Sequence, residues 1–286
     1  MKRELSRLIA GQIFLHACMA GMRMATPLLA LQQGFSAMAV GALLALFALT
    51  QVFLALPAGR YADRKGLKTP LAISVAIAFT GASLAAIWPI FPVLCLSALA
   101  TGGATGMAVI ALQRHVGRLA NGPAQLKTAF SWLSIGPAIS NFLGPVLAGL
   151  MIDFAGPERA HETGFRVAFL LMALLPLCTM LCVRHVREKV SPQLEVAQAP
   201  KRVLDLLHQP LMLRLLSVNW LLSSCWDVHT FVVPLLGHER GLSASVVGTI
   251  LGSFAVAAAT IRVCLPWVSR HLHEYQIITT SMVCTA

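Results

Sequence analysis

Eight stretches of mostly apolar residues follow one another along the chain. A helix that crosses a hydrocarbon core of about 30 Å needs roughly 20 such residues, and its backbone groups must bond within the segment. The stretches run from Leu8 to Leu31, Met38 to Ala58, Pro70 to Pro89, Phe91 to Leu112, Thr128 to Ile152, Val167 to Val183, Leu215 to Leu236 and Ser243 to Val268. A ninth begins near Tyr275. The pattern predicts an all-α polytopic membrane protein.

The composition agrees with a lipid environment. Hydrophobic residues make up 57% of the chain and charged residues 12%, with a mean hydropathy of +0.75. A water-soluble domain of this composition has too little polar surface to cover itself. Buried core helices of a large soluble protein are the alternative, and the number and length of the stretches disfavour it. We therefore expect the lipid bilayer to be a partner of this chain.

A net charge of +11 is also typical of proteins that bind nucleic acid, so the positions of the cations along the chain must distinguish between nucleic-acid binding and membrane topology. They cluster before the first stretch and after the second, fourth, sixth and eighth, whereas the connections on the other side carry few. Cytoplasmic loops of membrane proteins are enriched in Lys and Arg. We therefore expect a multi-pass protein of the bacterial inner membrane with a cytoplasmic amino terminus, and no binding of nucleic acid. The cations on that side include Lys2, Arg3, Arg7, Arg60, Arg64, Lys65, Lys68, Arg114, Arg118, Lys127, Arg184, Arg187, Lys189 and Arg270.

A charged motif lies between the second and third stretches. It consists of Gly59, Asp63, Arg64, Gly66 and Lys68. This pattern resembles the loop between the second and third helices of the major facilitator superfamily. The resemblance implies a conformational latch, in which the aspartate contacts the eleventh helix and biases the equilibrium between inward-facing and outward-facing states. A simple cationic anchor is the alternative, but it explains neither the aspartate nor the glycines.

An internal repeat indicates how the helices are grouped. Residues 207 positions apart match without a gap, including Pro27 with Pro234 and Ser36 with Ser243. The first two stretches therefore resemble the seventh and eighth, as expected for a parallel repeat of two six-helix halves. We predict an N-terminal bundle at residues 1–183, a cytoplasmic linker at 184–214, and the start of a second bundle at 215–286.

The second half of this predicted major facilitator fold is incomplete. Two full stretches and part of a third follow the linker, where the first half has six. We expect the chain to be a fragment of a longer transporter. A truncated gene product is the alternative, and the sequence does not separate the two.

The fifth stretch carries a second motif, formed by Gly144, Pro145 and Gly149. It resembles the glycine-proline signature of the proton-linked antiporters in the same superfamily, although Ser140 and Ala148 replace two of its glycines. The resemblance implies export. Small residues four positions apart also permit close helix packing of any kind, which is the alternative interpretation.

Two charged residues lie deep within apolar stretches, Arg23 in the first and Asp227 in the seventh, whereas Arg262 lies near the end of the eighth, a position that favours snorkelling. A charge at the centre of a membrane costs at least about 2.5 kcal/mol, so each is expected to face a partner or a cavity. The resemblance implies that these two helices face each other across a central cavity. We predict that Asp227 exchanges a proton while Arg23 pairs with it or binds an anionic substrate, with His229 as a weaker candidate. A static ion pair that only orients helices is the alternative.

These patterns favour a secondary transporter that works by alternating access. The leading prediction is a proton-driven exporter of small amphipathic compounds, and the alternative is a proton-coupled uptake permease for a small anionic metabolite. We predict no enzyme activity, no metal and no cofactor beyond the proton gradient. The seven cysteines lie within apolar stretches and are interpreted as packing residues. The protein is expected to act as a monomer on a small-molecule substrate.

Overall fold

A computed structural model describes residues 2–120, 122–156, 161–186, 188, 209–268, 276, 279, 280 and 283. These residues form helices and no strand, which confirms the all-α prediction. Most of the predicted ninth stretch and most of the predicted linker lie outside the described residues. The helices are α1 (Lys2–Gln32), α2 (Ala37–Lys65), α3 (Lys68–Ile87), α4 (Phe91–Leu119), α5 (Pro123–Leu133), α6 (Ile135–Phe154), α7 (Glu162–Val183), α8 (Pro210–Glu239) and α9 (Ala244–Val268).

Seven spans in the described part of the chain are long and apolar enough to cross a membrane. They are α1 to α4, α5 together with α6, α7 and α9. Helix α8 covers the seventh predicted stretch and is long enough, but it does not reach the same hydropathy. Its apolar residues are interrupted by polar side chains, among them Ser217, Asn219, Ser223, Ser224, Asp227 and His229. A helix of this composition is suited to a polar cavity rather than to lipid on all sides.

The fifth predicted span is divided into two helices at Ser134. Helix α5 ends at Leu133 and α6 begins at Ile135. Pro137 lies four residues after Leu133, so it has no N–H to donate to the Leu133 carbonyl, and its ring crowds that oxygen. The fifth span predicted from Thr128 to Ile152 is thus present as one span, Gln125–Phe154, in which proline interrupts the helix at Ser134 although the sequence stays apolar.

The charged motif is also more helical than predicted. Helix α2 continues past Ala58 to Lys65, so Gly59, Asp63 and Arg64 lie in its last turns rather than in a loop. Gly66 ends the helix with φ of 76°, a left-handed conformation that glycine adopts at little cost. Helix α3 then begins directly at Lys68. The predicted loop is thus reduced to the turn at residues 66–67.

Helix α1 lies at the centre of the bundle. Of its apolar window, 78% is buried, and it packs against α6, α7, α4 and α8. We call the end of the bundle where α1 begins the near end, and the end where α1 stops the far end. We call α1 to α7 the first half, and α8 with α9 the second half. The most extensive helix packing in the described residues joins α6 of the first half to α9 of the second.

Candidate functional site

A small pocket lies between α1, α6, α8 and α9, with about 390 Å³ of empty space that includes space open to its surroundings. It is therefore built from both halves. Apolar side chains form much of its wall, with a small number of polar groups among them, which is the usual make-up of a small-molecule site. The lining residues are Ala20, Arg23, Met24, Asn141, Pro145, Trp226, His229, Thr230, Leu251 and Phe254.

An ion pair crosses between the halves at this pocket. Arg23 on α1 donates a hydrogen bond from Nη2 to Oδ1 of Asp227 on α8. The exposed fraction of the side chain is 19% for Arg23 and 54% for Asp227, so the arginine is the more enclosed partner. The structure thus brings together the two charged residues that the sequence places inside apolar stretches. Their role in transport stays a prediction.

Aromatic rings form one wall of the pocket. The ring of Phe254 on α9 lies 4.1 Å from the ring of His229 and 5.1 Å from that of Trp226, measured between centroids. Tilted ring pairs at this separation attract each other beyond their burial. His229 therefore lies at the pocket, two residues after Asp227 in the sequence. The wall offers a flat apolar surface beside a charged pair.

Two polar atoms at the pocket have no hydrogen-bond partner among the described residues. They are Nε of Arg23 and Nε2 of His229, and both are buried. Buried polar atoms in proteins are nearly always hydrogen-bonded to protein or to water. Arg23 Nε can only donate, whereas His229 Nε2 donates or accepts according to its tautomer. The pocket is therefore equipped to hold a solute or water with a hydrogen-bond acceptor.

The charged motif lies at the near end, away from the pocket. Asp63 Oδ1 accepts hydrogen bonds from Arg114 and from Arg118 on α4, the latter at 3.1 Å. Lys68 Nζ donates to the carbonyl oxygen of Arg184 at 3.2 Å. A Cβ atom on Gly59 would lie 3.2 Å from Nη1 of Arg114, so the glycine admits the guanidinium. All these contacts stay within the first half.

Sequence reasoning missed Glu188, which completes this near-end cluster. Its Oε1 accepts from the backbone N–H groups of Leu67 at 2.9 Å and of Lys68 at 2.5 Å, at the start of α3. A Cβ on Gly66 would lie 3.1 Å from the same oxygen. A carboxylate at a helix amino terminus satisfies free N–H groups and complements the helix dipole. The charge alone gave no signal, because Glu188 lies far from α3 in the sequence.

The glycine-proline motif of the fifth span lies on α6 and faces two helices. A Cβ on Gly144 would meet the backbone of α1 at Gly21, 2.7 Å from its nitrogen. A Cβ on Gly149 would lie 2.5 Å from the carbonyl oxygen of Ala244 on α9. Pro145 lines the pocket, and its carbonyl oxygen is in close contact with Gly248 of α9. The motif therefore allows α6 to pack closely on both halves.

Asp153 was also missed, and it lies one turn beyond Gly149 at the far end of α6. Its Oδ1 accepts from the N–H of Ala244 at 3.2 Å, and its Oδ2 accepts from the N–H of Ser245 at 2.7 Å. Its residue exposure is only 4%, so the carboxylate is enclosed between the two halves. The sequence offered no signal for this contact, since Asp153 follows an apolar stretch as many loop residues do.

No group of three metal-ligating side chains occurs in the part of the chain that the structure describes. The cysteines described there are free thiols.

Comparison with known proteins identifies the family. The sequence model described as the Major Facilitator Superfamily matches residues 8–286, nearly the whole chain. No curated protein matches the chain.

Proposed function

Because the chain belongs to the major facilitator superfamily, whose members are secondary transporters and not enzymes, we propose that it exports small amphipathic solutes in exchange for protons. The two halves would alternate in exposing the pocket between them to either side of the membrane. No cofactor is required, since the proton gradient supplies the energy. A single copy of the protein suffices, because the pocket is formed within one chain.

The ion pair between Arg23 and Asp227 carries this proposal. It joins the two halves directly beside the pocket, so its formation is linked to their relative position. A proton on Asp227 removes the charge that attracts Arg23 and weakens the contact between α1 and α8. Release of one half from the other is a common form of switching in proteins with two packed bodies.

The chemistry of the pocket supports an amphipathic solute. Phe254 and Trp226 offer an apolar wall, while Arg23, Asn141 and Thr230 offer polar groups. An amphipathic molecule buries its apolar part against the rings and satisfies the buried Nε of Arg23 with an acceptor. The glycine-proline motif on α6, which resembles that of proton-linked antiporters, favours export over uptake.

The distribution of cations supports the orientation. Lys and Arg are concentrated in the last turns of α2 and α4 at the near end, and by the positive-inside rule we propose that this end faces the cytoplasm of a bacterial inner membrane. In this orientation the far end faces outward. The charged motif around Asp63 then lies on the cytoplasmic side, where Asp63 pairs with two arginines of α4, and the latch to the eleventh helix that the family resemblance implies stays a prediction.

The decisive experiment measures proton-linked transport of neutral and cationic dyes in inverted membrane vesicles that contain the complete protein. We expect Asp227→Asn to abolish proton coupling while the protein still folds, because the amide keeps the size of the carboxyl group but does not titrate. Ser217→Ala on the same helix is the matched control, since its hydroxyl donates to the carbonyl oxygen of Leu213 on that helix. Unchanged coupled transport in Asp227→Asn would contradict the proposal.

Uptake of a small anion is a second candidate, and the unpaired Nε of Arg23 favours it. A carboxylate substrate could accept from this atom and compete with Asp227 for the guanidinium. The direction of accumulation in right-side-out vesicles separates the two candidates. For an anion permease, Arg23→Gln is expected to raise KM far more than it lowers the maximal rate.

A further inference from the structure

We infer that Asp153 is a positioning residue for transport, which holds the far end of the two halves together and must release α9 when that end opens. The inference rests on the proposed alternating access but on neither the direction of transport nor the coupling ion. Asp153 is on α6 of the first half, and both of its carboxylate oxygens bind the first N–H groups of α9 in the second half.

The internal repeat supplies the main argument, because it contains the same helix start twice. Ser36 precedes α2, and its hydroxyl accepts from the N–H of Ala39 at 3.3 Å, an ordinary local cap. The equivalent Ser243 precedes α9, but its hydroxyl is 3.1 Å from that of Ser245. At this second start, the side chain of Asp153 takes the N–H groups of Ala244 and Ser245. One helix is thus capped by its own sequence and the other from across the halves.

The surroundings of Asp153 make this contact a close one. A Cβ on Gly149 would lie 2.9 Å from Cα of Ser245, and a Cβ on Gly252 would lie 2.9 Å from the Phe142 ring. Asp153 and Ala244 are both buried. If the buried carboxylate moves away from the N–H groups of Ala244 and Ser245, the carboxylate and the N–H groups all need other hydrogen-bond partners. The two hydrogen bonds of Asp153 are therefore either formed or replaced by bonds to water. This behaviour fits a contact that has two discrete states.

The contacts that join the halves lie at this end and at the middle of the bundle. Phe231 of α8 lies over Gly41 of α2, and Asp227 meets Arg23 at the pocket. Towards the near end, most of residues 211–221 of α8 are exposed. The contacts between the halves in the described part of the chain therefore lie at the far end and around the pocket, with Asp153 beyond the pocket at the far end. Opening the far end requires α9 to move away from α6 and the Asp153 bonds to break.

The inference is tested by distance measurements between spin labels in the complete protein, reconstituted in lipid. The labels are attached at Met38→Cys and Leu242→Cys, exposed far-end positions on opposite halves, after the native cysteines are replaced by alanine. We expect Asp153→Ala to raise the ratio of the long-distance to the short-distance population about fivefold or more, the size of effect that loss of a helix cap produces. Asp153→Asn retains one acceptor and is expected to give a smaller shift in the same direction.

Ser36→Ala is the matched control, because it removes a serine cap that does not join the halves. It is expected to lower the unfolding temperature without a change in the distance distribution. The inference is overturned if every Asp153 variant that folds keeps the wild-type distribution, or if Ser36→Ala shifts it equally. In either case dye efflux by the unmodified protein, and its loss in Asp227→Asn, would still stand as the separate test of the transport proposal.

Discussion

Two carboxylates cap helix starts that are remote from them in the sequence, and they differ in what they join. Glu188, in the predicted linker shortly after α7, binds the start of α3 of the first half at the near end, so this bond does not reach the second half. Asp153 binds the start of α9 at the far end, and the two belong to different halves. The hydrogen-bond chemistry is the same at both places. The same kind of bond therefore stabilises a single half in one place and, as we infer, the contact between the halves in the other.

This difference gives each contact a distinct expected signature. A bond within one half persists while the halves move, so its loss lowers stability and leaves their equilibrium unchanged. A bond between the halves exists in only one of the two states, so its loss shifts the equilibrium as well. For each of the variants below, the measurements are thermal unfolding and the far-end distance.

The largest effect is expected from Gly149→Val at the interface between α6 and α9. A Cβ there would lie 2.5 Å from the carbonyl oxygen of Ala244, which is backbone and cannot rotate away. Overpacking of this kind costs about 1–3 kcal/mol, and here it acts against the contact between the halves at the far end. We expect a longer far-end distance and lower transport. Gly117→Val is the control, because a Cβ there meets nothing within 4 Å. An unchanged distance in Gly149→Val would show that α6 and α9 do not form the gate.

Glu188→Ala is expected to have the next largest effect, on stability alone. It removes the acceptor for the N–H groups of Leu67 and Lys68, and loss of a helix cap costs about 1 kcal/mol. The unfolding temperature should fall while the far-end distance stays as in the wild type. Glu188→Gln retains an acceptor oxygen and should restore most of the loss. A shift in distance for Glu188→Ala would remove the distinction between the two carboxylates.

Asp63→Asn is expected to have a smaller effect at the same end. It weakens the contacts with Arg114 and Arg118, whose side chains are 40% and 31% exposed. Exposed ion pairs are worth about 0.2–1 kcal/mol, and salt screens them. We expect a small loss of stability that disappears at high ionic strength. A large loss of transport with normal stability would instead favour the latch to the eleventh helix that the family resemblance implies.

The smallest effect is expected from Arg166→Ala. This variant tests whether a contact affects the far-end distance because it lies at the far end or because it joins the two halves. Arg166 lies at the far end, but it donates to the carbonyl oxygen of Ile87 at 2.9 Å and pairs with Glu162 at 2.8 Å, all within the first half. Such an exposed pair on one helix contributes about 0.3–0.5 kcal/mol. The far-end distance should not change. If it does, proximity to the far end matters more than the crossing between halves.

The long apolar stretches were sufficient to predict an all-α chain, and the resemblance of the charged motif around Asp63 predicted its family. The sequence also singled out Arg23 and Asp227, because a charge inside an apolar stretch requires a partner. It did not predict the break at Ser134 or the helical course of the motif around Asp63. Both depend on local backbone geometry, at Pro137 in one case and at Gly66 in the other. Nor did it find Glu188 and Asp153, which carry no signal apart from the helix starts they reach.

Three properties follow from the sequence alone: which segments are helical, which connections between spans carry the basic residues, and which charges lie within spans. These properties follow from hydropathy, length and charge, which are local along the chain. The packing of the helices, in contrast, is needed to know which helix starts meet a carboxylate and which glycines face another backbone. Those pairings depend on the rotation and depth of each helix, and nearly uniform apolar faces leave both undetermined until the helices pack. The contact between Asp153 and α9 exists for that reason alone, and with it the gate that we infer.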